Sequence, residues 1–375
     1  MKKFFTTTIC LAMCAALYAQ QTEPAAEPYV YKFTDIKVNA ATPVKNQAST
    51  GTCWCYATNS FIESELIRMG KGEYDLSEMF VVRHNYIRRM KDNVIRRGKG
   101  NVDQGSIAHM YTWVMKNVGL LPEEAYVGIN YDSPTHNHGD LSRWVKAVSA
   151  TAVEMKKELP DEIINGVLDA YLGEVPQTFT YKGKEYTTES FYKSLGLNAE
   201  DYVELTSFTH HPFYEQVLVE VPDNWDHALM YNLPLDEFMA VIDNAINTGY
   251  TVAWDGDVSE PGYAFKHNVA VNTKEKIGAE QTLKAKAEEM TVTQQSRQQG
   301  FENFTTTDDH LEHIVGIGQD QDGVKYYKTK NSWGTSSNGT GYHYLSEEYV
   351  KAKTISILVN KNSIPKNIKA KLGLK

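Results

Sequence analysis

Cys53 stands in the run Gln47-Ala48-Ser49-Thr50-Gly51-Thr52-Cys53-Trp54, and a distant stretch supplies what a thiol needs to attack a carbonyl. That stretch is Glu312-His313-Ile314-Val315-Gly316, followed by Lys330-Asn331-Ser332-Trp333-Gly334. The parts are a thiol, an imidazole to take its proton, an amide to orient the imidazole and a second amide, Gln47, to hold an oxyanion. Together they are a set for acyl transfer by a cysteine nucleophile. Apolar Ala57, Phe61, Ile62 and Leu66 follow Cys53 at helical spacing, which places the cysteine at or just inside a helix N-terminus. There, unpaired N–H groups and the helix dipole favour the thiolate. Gln47 is close enough upstream for its amide to converge with the Cys53 backbone N–H on one oxyanion.

His313 begins the apolar segment Ile314-Val315-Gly316-Ile317-Gly318, Gln319 to Gly323 turns the chain, and Val324 to Thr329 returns. Folding this hairpin about Gln321 sets residue 313 opposite 329 and makes Asn331 a diagonal neighbour of His313. Asn331 then fixes the ring tautomer of His313, and Trp333 shields that bond from water. His310, with Asp308, Asp309 and Glu312 beside it, is weighed as a metal cluster. The His-Glu-x-x-His spacing of a helix-borne site is absent, so no metal and no cofactor are expected. His84, His109, His210, His211, His227, His267 and His343 have no asparagine paired in such a turn and are set aside. Cys55 falls on the helix two residues on and is read as core.

These groups must be positioned by two kinds of element. Asp75-Leu76-Ser77-Glu78 reads as a cap before a helix through Met90, and Ile107 to Val118 as a third helix ended by Gly119 and Pro122. A helix from Leu141 to Lys157, a hairpin around Lys182-Gly183-Lys184 and a helix from Leu235 to Thr248 follow. Lys274 to Arg297 is charged and helical in pattern. Period-two segments at 250–254, 267–271, 313–317, 324–329 and 355–359 read as strands. Helices therefore dominate the first half and strands the second, an α+β chain whose site is assembled between two lobes. The expected organisation is a leader over 1–19, an extended arm over 20–40, a helical lobe with the nucleophile over 41–130 and a mixed insertion over 131–235. A β-rich lobe over 236–360 and a basic tail over 361–375 complete it.

The chain has 375 residues and a net charge of −9, with 23% charged and 42% apolar residues, the composition of a globular protein. The acidic balance argues against a nucleic-acid partner. Met1-Lys2-Lys3, the apolar Phe4 to Leu17 and the small residues ending at Ala19 read as a secretory signal, so a periplasmic or extracellular location is expected. No later stretch is apolar enough for stable membrane insertion. Cys10 and Cys14 leave with the signal, and Cys53 and Cys55 are too close to staple a fold. An exported chain without a structural disulfide keeps Cys53 for another reason. Homo-oligomerisation is left open.

The segment around Cys53-Trp54 resembles the papain-like cysteine peptidases. It is similar in particular to the bleomycin hydrolase and aminopeptidase C branch, from Asn46-Gln47 through Cys53-Trp54. Further blocks resemble the same branch in the same order: Asp75 to Glu78, Asp103-Gln104-Gly105, Tyr186 to Tyr202, Tyr231-Asn232-Leu233-Pro234 and Val252 to Val258. The resemblance implies a papain-like two-lobed fold, a helical lobe beside an antiparallel β-barrel-like one. It implies Cys53 as nucleophile, His313 as base and acid, Asn331 as orienter and Gln47 as oxyanion donor. Gln104, Gly105 and Trp333 are expected to border a peptide substrate, with Gln104 where the family usually has glycine. In the family a C-terminal arm lies in the cleft and restricts cleavage to free N-termini, and the sequence to Lys375 shows no matching arm. The resemblance implies an aminopeptidase. Endopeptidase or oligopeptidase action through an open cleft is the alternative, and a non-catalytic binding protein on this fold is the reading from another class.

Overall fold

A computed structural model of the chain describes residues 31–274 and 286–375. The expected leader and most of the expected arm, like part of the charged segment before Arg297, lie outside the described residues. The elements in chain order are β1 (Thr34–Val38), α1 (Cys53–Arg68), α2 (Glu78–Ile95), α3 (His109–Asn117), α4 (Gly139–Met155) and α5 (Asp161–Leu172). Then come β2 (Phe179–Tyr181), β3 (Lys184–Tyr186), α6 (Thr188–Leu195), β4 (Tyr202–Thr206), β5 (Gln216–Leu218), β6 (Leu229–Asn232), α7 (Leu235–Asn247) and β7 (Val252–Gly256). The last are β8 (Tyr263–Ala264), β9 (Val269–Ala270), α8 (Gln294–Glu302), β10 (His310–Gln319), β11 (Lys325–Lys330), β12 (Tyr342–Ser346), α9 (Glu347–Lys353), β13 (Thr354–Asn360) and α10 (Lys366–Lys371).

The helix α1 is buried almost all round, from Trp54 to Leu66. It has no clear apolar face because it lies between α2 and α3 on one side and the strands β7 and β10 on the other. Several of its polar residues are therefore paired inside the protein. Asn59 donates to Glu78 Oε1 at 2.6 Å, and Lys45 reaches the same carboxylate at 2.8 Å. Phe61 is fully buried and meets Tyr202 edge-on, with centroids 5.5 Å apart. Truncating it to alanine is expected to cost about 3–5 kcal/mol, the usual range for a buried Phe. The Ser77 hydroxyl caps α2 by accepting from the Phe80 N–H at 3.2 Å, as the sequence implies.

Among the described residues the main sheet has eleven strands in the order β5-β6-β4-β13-β7-β10-β11-β12-β9-β8, with β1 also on β10. Its ends at β5 and β8 are free, so the sheet is open and not closed into a barrel. β1 pairs with the second half of β10, from Thr34↔Gln319 to Val38↔Gly316, while β7 pairs with the first half. The end of the expected arm is thus part of the sheet. One apolar core joins the helices of the first half, and a second joins α7, the sheet and α10. The tail belongs to this second core through Ile368 and Leu372, and Lys371 pairs with Glu237 on α7. No described helix is long and apolar enough to cross a membrane.

Candidate active site

Cys53 is the first residue of α1, after Thr52, whose side chain makes no cap to the helix. The first N–H groups of the helix are left for other partners. The loop before it is held from three directions. Gln47 N donates to Ser332 O at 2.8 Å, Gly334 N donates to Lys45 O at 3.1 Å, and Gly51 N donates to Gln104 Oε1 at 2.7 Å. Trp54 is fully buried, and its indole donates to Gln104 O at 3.1 Å. Ala48 lies in the left-handed region at φ 52°, a strained conformation for a residue with a side chain. The nucleophile loop is therefore fixed to both the 104 loop and the segment after Asn331.

The imidazole that meets Asn331 is His310, not His313. His310 Nε2 lies 2.9 Å from Asn331 Oδ1, and Trp333 stacks obliquely over the His310 ring at 4.7 Å. His313 is fully buried on the opposite side, where its Nδ1 meets Ser60 Oγ at 2.8 Å and its ring faces Phe61. The correction has a simple cause. β10 begins at His310, and residues an odd number apart on a strand point to opposite faces. The hairpin register also differs from the expected one. Asp320 Oδ1 accepts from Asp322 N and Val324 N, and Gly323 takes φ 79°, so the turn centres one residue later than Gln321. That shift alone would set His313 opposite Asn331, but a β-bulge between Ile314 and Gly316 slips the register by one, so His313 pairs with Lys330, and a one-residue slip exchanges every side chain between faces. Lys330 goes with His313 toward Ser60, and Asn331 goes with His310.

Gln47 is buried with its carboxamide oriented. Oε1 accepts from Ser332 Oγ at 2.6 Å and Nε2 donates to Thr50 O at 2.7 Å. Nε2 carries a second N–H that neither of these bonds uses. Of the residues expected to border a substrate, Gln104 is engaged with Gly51 and Trp54, and Trp333 shields the His310–Asn331 bond. Gly105 presents bare backbone to Asp223: a Cβ there would meet the Asp223 carboxylate at 1.9 Å. Arg89, fully buried, donates to Gly105 O and holds Asp223 at 3.5 Å. Sequence reasoning passed over Arg89 and Asp223 because the two lie 134 residues apart and meet only in the fold.

Burial pushes the Cys53 thiol up to about 12, and the carboxylates of Asp223 and Asp308 act in the same direction. Hydrogen bonds from the Leu311 and Trp54 backbones oppose this, and Leu311 is the residue after His310. By itself this thiol stays protonated at neutral pH, so its reactivity depends on a base that takes the proton. Burial pulls His310 below the usual histidine range, while Glu312 and Asn331 act to raise it. Burial also lowers His313, with the Lys330 charge adding to the effect.

One other cluster of described residues has metal-ligand proximity, His210 with His211 and Glu220. Thr209 N donates to Gln298 Oε1 at 2.6 Å, so Gln298 Nε2 donates to His210 Nδ1 at 2.9 Å. Neutral His210 then carries its proton on Nε2, the atom aimed at Glu220, and a protonated nitrogen cannot ligate a metal.

The Papain family cysteine protease model matches residues 31–199, which hold Gln47 and Cys53. The Peptidase C1-like family model matches residues 139–374, which hold His310, Asn331 and Trp333. The chain is 23% identical to Aminopeptidase C of Lactococcus lactis subsp. cremoris over 362 residues, covering 85% of this chain and 81% of that protein. It is 22% identical to Aminopeptidase E of Lactobacillus helveticus over 371 residues, with 85% and 81% covered. The crystal structure of PepW from Lactobacillus rhamnosis HN001 superposes with a TM-score of 0.67 at 17% identity, covering 91% of this chain and 84% of that one. That likeness concerns the fold, which is α+β and papain-like.

Proposed function

The chain belongs to the Peptidase C1-like family, whose model matches residues 139–374 of it, and is a cysteine-type peptidase; from that premise we propose that it hydrolyses peptide bonds through Cys53, His310, Asn331 and Gln47. The observation that carries this reading is the His310 Nε2 to Asn331 Oδ1 contact of 2.9 Å, beside Leu311, whose backbone acts to lower the Cys53 thiol. With Nε2 engaged, Nδ1 is the ring atom that takes the thiol proton. The thiolate attacks the carbonyl carbon, and the oxyanion is held by the Cys53 backbone N–H and Gln47 Nε2–H. His310 returns the proton to the leaving amine, then deprotonates the water that hydrolyses the thioester.

The relatives named Aminopeptidase C and Aminopeptidase E support removal of residues from a free N-terminus. The docking of Ile368, Lys371 and Leu372 on the α7 side favours a second reading, internal cleavage, because it engages those tail residues outside the site described above. Incubating the protein with a mixed peptide pool, beside Cys53→Ala, separates the two. Stepwise loss of N-terminal residues supports the aminopeptidase, internal fragments support the second reading, and an unchanged pool contradicts both. Export is part of the proposal. It is supported by the basic start, the apolar Phe4 to Leu17 and the small residues at Ala15, Ala16 and Ala19. A mature N-terminus at Gln20 is the result expected from N-terminal sequencing, and retention of Met1 contradicts it.

A further inference from the structure

Behind the His310–Asn331 pair lies a buried carboxylate that the mechanism above does not use. Glu312 and His343 are both fully buried, and His343 Nε2 meets Glu312 Oε2 at 2.7 Å. The Tyr263 hydroxyl donates to Glu312 Oε1 at 2.5 Å and accepts from Asn331 Nδ2 at 3.1 Å. The same Oε1 lies 3.7 Å from His310 Nε2. We propose that Glu312 is a positioning residue for the peptidase site, setting the Asn331 amide and the His310 tautomer through Tyr263 and favouring the imidazolium by its charge.

The direction of the hydrogen bonds carries the argument. An ionised carboxylate can only accept, so the Tyr263 hydroxyl must donate its proton to Glu312. The Tyr263 oxygen can then only accept from Asn331, which turns the Asn331 Nδ2 toward it and the Oδ1 toward His310. Ser332 N donates to that same Oδ1 at 2.7 Å and reinforces the choice. An accepting Oδ1 requires a proton on His310 Nε2, which leaves Nδ1 as the base. Reversing any link would place the proton on the wrong nitrogen.

The charge acts in the same sense. Burial alone would raise the Glu312 carboxyl, but the His343 and His310 rings and the Tyr263 hydroxyl outweigh it and hold it below the usual range. It is therefore an anion at working pH. The groups facing it are His310 on its own strand, His343 on β12, Tyr263 on β8 and Tyr349 on α9. Asp309 acts on both tyrosines, and Asp257 and Glu260 act on Tyr349. Glu312 is the carboxylate whose contacts reach His310 and Asn331 together.

This inference rests on the Cys53–His310 reading, and its test can fail while that reading stands. Glu312→Gln keeps the size, removes the charge and lets the Tyr263 hydroxyl reverse. Steady-state kinetics and the pH dependence of Cys53 alkylation by iodoacetamide are measured on the full chain. The expected result is a kcat lower by about tenfold or more with KM nearly unchanged, and an alkaline limb of alkylation moved down by about one pH unit. The sign follows because losing a nearby anion makes the imidazolium easier to deprotonate. Glu312→Asp, which restores the charge, should recover part of both. An unchanged kcat and an unmoved limb in a folded Glu312→Gln overturn the proposal. If that variant does not fold, Tyr263→Phe is read instead. It cuts the link to Asn331, and the same loss in kcat supports the proposal while an unchanged kcat overturns it.

Discussion

His310 and Asn331 meet at 2.9 Å under the ring of Trp333, because a β-bulge between Ile314 and Gly316 slips the hairpin by one residue and turns His313 away from the asparagine. The oxygen of Asn331 fixes the ring, so removing it loosens the base without removing it. Asn331→Ala is expected to lower kcat on the order of 10²-fold, the scale of a small misplacement of a reacting group. KM should change little. An unchanged kcat would take Asn331 out of the site.

Gln47 is held by Ser332 and Thr50, which leaves one N–H for the oxyanion role proposed above. Gln47→Ala should lose on the order of 10²-fold in turnover, as expected when one oxyanion donor is removed. Gln47→Glu, which replaces the donor with an anion, should be worse than alanine. Equal turnover of wild type and Gln47→Ala would remove the residue from the mechanism.

His109 gives a stability prediction away from the site. Burial would lower its pKa, but Glu204 at 2.9 Å and Asp226 at 2.7 Å outweigh this and raise it to about 10. A histidine raised in the folded state contributes stability that is complete below its ordinary value near 6.5 and is lost as pH rises through about 10. Thermal unfolding of the wild type should therefore weaken from pH 6.5 toward pH 10 relative to His109→Gln. Parallel curves for the two proteins over that range would contradict the ion-pair account.

Matched peptides with free and acetylated N-termini test how substrate enters. If the protein acts as an aminopeptidase, the acetylated peptide should survive while the free one is shortened from its first residue. Equal rates on the two, with internal cuts, would reject the aminopeptidase reading and leave the cysteine-peptidase reading in place.

The place of Cys53 at a helix start was legible because its signal is local: a Gly-Thr step, the cysteine, Trp54, and a run of helical spacing that the structure realises as α1. The strands were legible in outline, and the segment read as 324–329 is observed at Lys325–Lys330. The partner histidine was not, for two physical reasons. β10 is buried on both faces over nearly its whole length, so its sequence lacks the polar–apolar alternation that marks a face. A register read from the turn also misses the β-bulge between Ile314 and Gly316, which slips the pairing by one after Asp320 and Gly323 have set the turn. The Asp-x-x-Gly pattern with glycine at a left-handed position signals that turn, but a turn centred one residue later keeps His313 and Asn331 on one face, and it is the β-bulge between Ile314 and Gly316 that gives Asn331 to His310. The helix α5 was also missed, since Asp161 to Leu172 has no polar cap and follows Pro160. The network of Glu312, Tyr263 and His343 joins three strands and leaves no pattern in any one of them.

The central claim is that His310, and not His313, takes the proton of Cys53. Iodoacetamide alkylation of Cys53 at neutral pH, measured with peptide turnover in His310→Ala and His313→Gln, tests it most directly. Circular dichroism and thermal melting establish that each variant is folded. The account predicts that His310→Ala loses both turnover and rapid alkylation, because a thiol pushed up to about 12 has no base left. It predicts that folded His313→Gln keeps both within a few-fold. Loss of both in His313→Gln with retention in His310→Ala would contradict the account.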